Sequence, residues 1–93
     1  MMDEPVRKHI VFYGIVQGVG FRYRARYAAD HFGATGWVKN ESDGSVSMEI
    51  QGTESQIDQV IEAIEKGAYI VIENMKVDII PIRSEEYGFH TIG

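Results

Sequence analysis

Two stretches of this chain carry apolar residues at helical spacing, each on one side only. Thr53–Gly67 places Ile57, Val60, Ile61 and Ile64 at i, i+3, i+4 and i+7. A Thr53-x-x-Gln56 capping box opens the stretch; Lys66 sits in its last turn and Gly67 closes it. Phe21–Phe32 sets Phe21, Ala25, Ala28 and Phe32 at offsets of four, seven and eleven, with Arg22, Arg26 and Asp30 pointing elsewhere and Gly33 in the C′ position. A helix with one apolar side must lie against another layer. In a chain of 93 residues that layer belongs to the same domain, so one domain over 1–93 is expected.

The segments between the helices read as strands. His9–Tyr13 (HIVFY) is a short apolar and aromatic run ended by Gly14, the pattern of a buried central strand. Gly36–Glu41 (GWVKNE) is a second strand, and Ser42–Ser45 (SDGS) is turn chemistry. In Val46–Gln51, Val46, Met48 and Ile50 alternate with Ser47, Glu49 and Gln51, which gives a strand with one wet face. A fourth strand is expected near Asn74–Ile80, stopped by Pro81, with Ile70–Ile72 either loop or its beginning; Phe89–Ile92 is a short last strand. The order is βαββαβ plus a small β. Two such helices cover one face of an antiparallel sheet, which is the ferredoxin-like α+β arrangement. Right-handed crossovers then give strand order 4-1-3-2, with the first strand central.

Composition excludes several kinds of chemistry. Absence of cysteine removes disulfides, thiolate metal sites and a cysteine nucleophile. His9, His31 and His90 have no ligand spacing and read as structural or exposed residues. The formal charge of −5 gives no overall basic field for nucleic acid, and the third strand (VSMEIQ) has no aromatic residue on which to stack a base. Trp37 reads as sheet packing. Arg24 and Arg26 read as solvated helix residues, Arg26 with Asp30 at i+4. Met1–Val6 (MMDEPV) is acidic and lacks the apolar core of a signal peptide, and no apolar run approaches membrane-spanning length. A soluble cytoplasmic protein is expected, as a monomer, with the strand before Pro81 a candidate exposed edge.

The stretch that these readings leave unexplained is Gly14–Arg22, GIVQGVGFR. The loop over residues 15–20 would join the first strand to the first helix, where backbone N–H groups converge at a helix N-terminus and can bind an anion, above all phosphate. Glycine allows the φ angles this requires and a close approach of ligand to main chain. Arg22, in the first helical turn, opposes the helix dipole by about 0.3–1 kcal/mol unless an anion offsets it, and its guanidinium can bind phosphate bidentately. The spacing fits neither a dinucleotide fingerprint nor a Walker loop. Val16 and Arg22 enclose five residues, as the cysteine and arginine of thiol-dependent phosphatases do. If the loop holds a phosphoryl group, valine in place of the thiol means that no phospho-enzyme can form from it, and the attacking group would have to be water.

G14-x-V-Q-G-V-G-F-R22, followed by G36-W-V-x-N40 and D43-G44-x-V46, resembles the acylphosphatases over roughly His9 to Ile92. The resemblance implies the ferredoxin-like fold and hydrolysis of the carboxyl–phosphate bond of acyl phosphates, with a small-molecule substrate and no metal or organic cofactor. It places the family's catalytic arginine on Arg22, its asparagine on Asn40, and its phosphate cradle on Val16, Gln17, Gly18, Val19, Gly20 and Phe21. Chain length matches a free-standing family member. Three departures stand out: Ile15 where many members carry a basic residue, AYIVIEN after Gly67 without the proline-containing turn, and Phe89 and Ile92 one residue further apart than the usual F-x-I. An acylphosphatase-like module that binds phosphate without turnover is the alternative. Parallel placement of the first and second strands would bring Asn40 beside Arg22 and favour the enzyme.

Overall fold

Both apolar stripes bury the sides that their spacing marks. In the computed structural model, which describes residues 4–93, the first helix α1 is Phe21–Phe32 and the second, α2, is Glu54–Glu65. Met1–Asp3, the start of the acidic segment read against a leader, lie outside the described residues. Helix α1 buries Phe21, Ala25, Ala28 and Ala29, and α2 buries Ile57, Val60 and Ile64. Phe32 and Ile61 sit half-buried at the margin of this core. Each fully buried aliphatic side chain contributes about 1.5–3 kcal/mol, so three of them hold α2 more firmly than any cap. The capping box is complete: Gln56 N–H donates to Thr53 Oγ1 at 3.1 Å, and Thr53 N–H donates to Gln56 Oε1 at 2.8 Å. Gly33 ends α1 at φ 79°, donating its N–H to the Ala29 carbonyl. Gly67 does not serve α2 in the same way. The helix ends through Lys66 in right-handed geometry, and a Cβ on Gly67 would meet Ile70 Cδ1 at 2.7 Å.

Five strands form one sheet: β1 (Val6–Ile15), β2 (Thr35–Asn40), β3 (Val46–Gly52), β4 (Val71–Ile80) and β5 (Phe89–Ile92), in spatial order β4-β1-β3-β2-β5. The 4-1-3-2 order expected from handedness is present. Strand β5 adds to β2 in parallel, Gly36 opposite Phe89 through Lys39 opposite Ile92, so the complete sheet is mixed. Two strands are longer than their apolar cores suggest. Gly14 does not end β1; it sits at a bulge after Tyr13, with φ 132°, and pairing with β4 continues to Ile15 opposite Val71. Strand β4 therefore starts at Val71, which makes Val71 and Ile72 its beginning. Strand β2 runs one residue earlier than GWVKNE suggests.

Alternation along β1 sends Ile10 and Phe12 into the helix-covered core, together with Met48, Ile50 and Val38 from its neighbours. The other face is closed differently. Strands β4 and β5 lie at opposite edges, so the connection over residues 81–88 crosses the open face of the sheet. Four strand spacings are about 19 Å, within reach of eight residues at about 3.3 Å each. Arg7 fastens this crossing. Its side chain is fully buried and donates from Nη1 to Glu86 Oε1 at 2.7 Å, from Nη2 to Glu86 Oε2 at 3.0 Å, and from Nη2 to Glu49 Oε1 at 3.0 Å. Gln51 adds a second tie: its Nε2 donates to the Arg83 carbonyl at 3.0 Å, and Arg83 N–H donates to its Oε1 at 2.9 Å. His9, beside them, contacts Glu49 Oε2 through Nδ1 at 3.0 Å and meets the edge of Trp37.

Burial pushes the Glu86 and Glu49 carboxyls up. The hydrogen bonds from Arg7, and for Glu49 from His9 as well, outweigh it and hold both below their ordinary 4.5. A carboxyl whose folded pKa is depressed contributes stability that is complete above its unfolded pKa and is lost as pH falls through the folded value. Glu86→Gln leaves Arg7 with less compensation, and we expect it to destabilise the fold at pH 7 by about 1–3 kcal/mol. Urea unfolding across pH 7 to 3 should also show a shallower loss of stability on the acid side for this variant than for the wild type.

Candidate active site

The loop after β1 is anchored at both ends in the core. Val16 and Phe21 are buried, and Phe21 packs against Phe12 with ring centroids 4.9 Å apart. Between these anchors the chain must turn sharply. Gly18 and Gly20 take positive φ, 73° and 82°. A Cβ at either would meet nothing within 4 Å, so backbone conformation and not space demands glycine there. Gly20 is the N-cap of α1, and as glycine it supplies no side chain to satisfy the first amides of the helix. Nor does the first turn carry an acidic residue. The positive end of α1 is thus left without a protein counter-charge of its own.

Gln17 does not face the cleft. Its Nε2 donates to the carbonyls of Glu41 at 2.7 Å and Ser45 at 2.8 Å, clamping the loop onto the β2–β3 turn. That turn is shaped by Asp43, which accepts from Ser45 Oγ at 2.6 Å and from Ser45 N–H at 2.9 Å. These two bonds, the side-chain one first, hold the Asp43 carboxyl below its ordinary value. Ser47 Oγ donates to Glu41 Oε2 on the same side. Because other groups close the turn, Asn40 is free of that duty: its carboxamide makes no hydrogen bond to another described residue. Alternation along β2 turns Asn40 to the helix side with Gly36 and Val38.

Arg22 leaves the first turn of α1 and reaches the end of β5, donating from Nη1 to the carbonyls of Ile92 at 3.3 Å and Gly93 at 3.5 Å. The last strand thereby helps fix the guanidinium. Val16, Gly18, Gly20, Phe21, Arg22, Tyr23 and Asn40 together line one cleft of about 190 Å³. The cleft brings together Arg22, Asn40 and four of the six loop residues singled out from sequence. The other two, Gln17 and Val19, lie beside it. Ile15 is exposed and does not line the cleft. Sequence reasoning missed the Gln17 clamp, the β5 carbonyls on Arg22, and Tyr23. It also underrated Arg24, whose Nε donates to the Ala63 carbonyl at 2.7 Å and ties α1 to α2. Arg24 and its partner lie 39 residues apart in sequence, and only helix packing makes them neighbours.

A family model described as Acylphosphatase matches residues 8–91. The chain belongs to the acylphosphatase family. It is 42% identical over 84 residues to an acylphosphatase of Geobacillus kaustophilus, with 89% of each chain covered. Its fold matches the crystal structure of acylphosphatase from Bacillus subtilis with a TM-score of 0.85 at 30% identity, over 95% of this chain and 99% of that one. An acylphosphatase from Coxiella burnetii gives 0.83 at 29% identity, over 95% and 93%. No helix among the described residues is long and apolar enough to cross a membrane.

The Gln17 clamp can be tested apart from catalysis. Gln17→Ala removes two short hydrogen bonds and should cost about 1–3 kcal/mol, lowering the midpoint of thermal unfolding by about 4–24 °C. Loosening of the turn that presents Asn40 should lower kcat for acyl phosphate hydrolysis as well, measured on the folded variant below its transition.

Proposed function

We propose that this chain hydrolyses acyl phosphates to a carboxylate and inorganic phosphate by direct attack of water, with Arg22 and Asn40 as catalytic residues and Val16–Phe21 as the phosphate-binding loop. The observation that carries this reading is the convergence of Gly18, Gly20, Arg22 and Asn40 on one cleft at the uncapped end of α1. Loop amides and the Arg22 guanidinium hold the phosphoryl oxygens and stabilise the charge spread over them in the transition state. The Asn40 carboxamide, unengaged by the turn, orients the attacking water. The water oxygen bonds to phosphorus as the bond from phosphorus to the bridging oxygen breaks, and the electron pair leaves with the carboxylate. That leaving group has a conjugate acid of pKa about 4–5, so it departs without a general acid. Amide nitrogen and oxygen are not basic, so the water proton passes to a phosphate oxygen of the substrate. A monomeric enzyme, acting in the cytoplasm through one domain over 1–93, fits this small-molecule chemistry.

Hydrolysis of benzoyl phosphate by the wild type, Arg22→Ala and Asn40→Ala tests the roles. Each substitution should lower kcat by about 10² to 10³, Arg22→Ala with weaker binding of inorganic phosphate and Asn40→Ala with that binding nearly unchanged. A full rate in Asn40→Ala would remove it from the mechanism. The pH–rate profile of the wild type should show no enzyme base titrating near pH 6–7, because phosphate itself takes the proton.

A further inference from the structure

A cleft of about 190 Å³ holds a phosphoryl group and a water but little more, below the roughly 300–1,000 Å³ of most small-molecule sites. The acyl group must therefore leave it. Gly20 and Tyr23 also wall a second, larger groove of about 540 Å³, which continues outward between α1 and the α2–β4 connection. Its sides are aromatic. Tyr23 and Tyr27, one turn apart on α1, present nearly parallel rings with centroids 6.5 Å apart and an interplanar angle of 17°. Tyr69 stands on the opposite side. All three rings are about three-quarters exposed, although nothing in the fold requires tyrosine there.

The floor between them is fixed. Arg24 is held by the Ala63 carbonyl, and its Cδ comes so close to Gly67 that a Cβ there would lie 3.1 Å away. A groove with a held floor and aromatic walls, sharing Gly20 and Tyr23 with the phosphate cleft, fits a planar apolar group joined to a phosphate.

We propose that this groove is the acyl subsite, and that Tyr23, Tyr27 and Tyr69 make the enzyme selective for acyl phosphates with an aromatic acyl group over acetyl phosphate. The inference rests on the acyl phosphate reading of the adjoining cleft. Aromatic faces favour a ring over a flexible chain because stacking adds to simple burial of area. The net charge of −5 and the lack of a basic field disfavour a nucleic-acid base as the occupant.

Tyr27→Ser and Tyr69→Ser test the groove. In each, the ratio of kcat/KM for benzoyl phosphate to that for acetyl phosphate should fall about fivefold to tenfold. Tyr27→Phe and Tyr69→Phe should restore it, since the ring and not the hydroxyl makes the contact. An unchanged ratio in both serine variants overturns the proposal while leaving the hydrolytic function intact. A second measurement does not depend on turnover. Titration of the wild type with benzylphosphonate and with methylphosphonate, followed by NMR, should move the Val16–Phe21 amides with both ligands. The ring signals of Tyr23, Tyr27 and Tyr69 should move only with benzylphosphonate. Tyrosine signals that stay still with benzylphosphonate, or move equally with methylphosphonate, overturn the subsite. Failure of the wild type to hydrolyse either substrate would instead overturn the proposed function, and the titration would still decide the groove.

Discussion

Val46, at the start of β3, is paired on both flanks: with Phe12 of β1 on one side and Asn40 of β2 on the other. Because β3 runs antiparallel to both neighbours, those neighbours run parallel to each other and finish at the same end of the sheet. Their ends therefore meet, although the intervening chain includes the whole of α1. One end continues into the glycine loop and the uncapped start of α1. The other carries Asn40 and enters the turn that Gln17 clamps. A slip of one residue in either ladder would turn Asn40 to the opposite face. The arrangement of the cleft rests on this double register.

The polar face of the sheet guards the same geometry from behind. Arg7 is a buried cation with two carboxylates around it, an arrangement whose gross attraction is largely offset by desolvation. Its structural effect is to hold down the segment that carries the chain from β4 at one edge to β5 at the other. Strand β5 delivers the Ile92 and Gly93 carbonyls to Arg22. The buried ion cluster and the Arg22 guanidinium thus lie at two ends of one connection. Loss of the crossing would free the side chain to which the proposed mechanism assigns the phosphoryl group.

In the proposed mechanism, binding energy for the phosphoryl group comes mainly from backbone. Oriented amides at a helix end and a pre-positioned guanidinium lose little entropy when an anion arrives, and they suit a reaction whose leaving group needs no acid. The aromatic groove next to the cleft, as proposed above, would give the rest of the substrate a place without altering those groups. In the reading proposed above, recognition of the phosphoryl group and of the acyl group would fall to adjoining surfaces that share Gly20 and Tyr23.

Sequence alone determined the parts whose cause is local. Helical stripes, the capping box, the SDGS turn and the alternation of Val46–Gln51 each follow from spacing within a few residues, and they fixed the fold class and strand order. The glycine loop with Arg22 was legible for the same reason, and the resemblance to acylphosphatases added Asn40. Local pattern was a poorer guide to strand length, since Gly14 reads as a stop but serves as a bulge once β4 pairs past it. Only the tertiary structure decided which distant groups meet. The Gln17 side chain serves as a clamp because two carbonyls of the β2–β3 turn lie within its reach. Arg7 is buried because a crossing segment brings Glu86 to it, 79 residues away. The three tyrosines form one groove because α1 packs beside the chain leading into β4. Those relations depend on sheet register and helix packing, which are set by the whole chain at once and leave no local mark in the sequence.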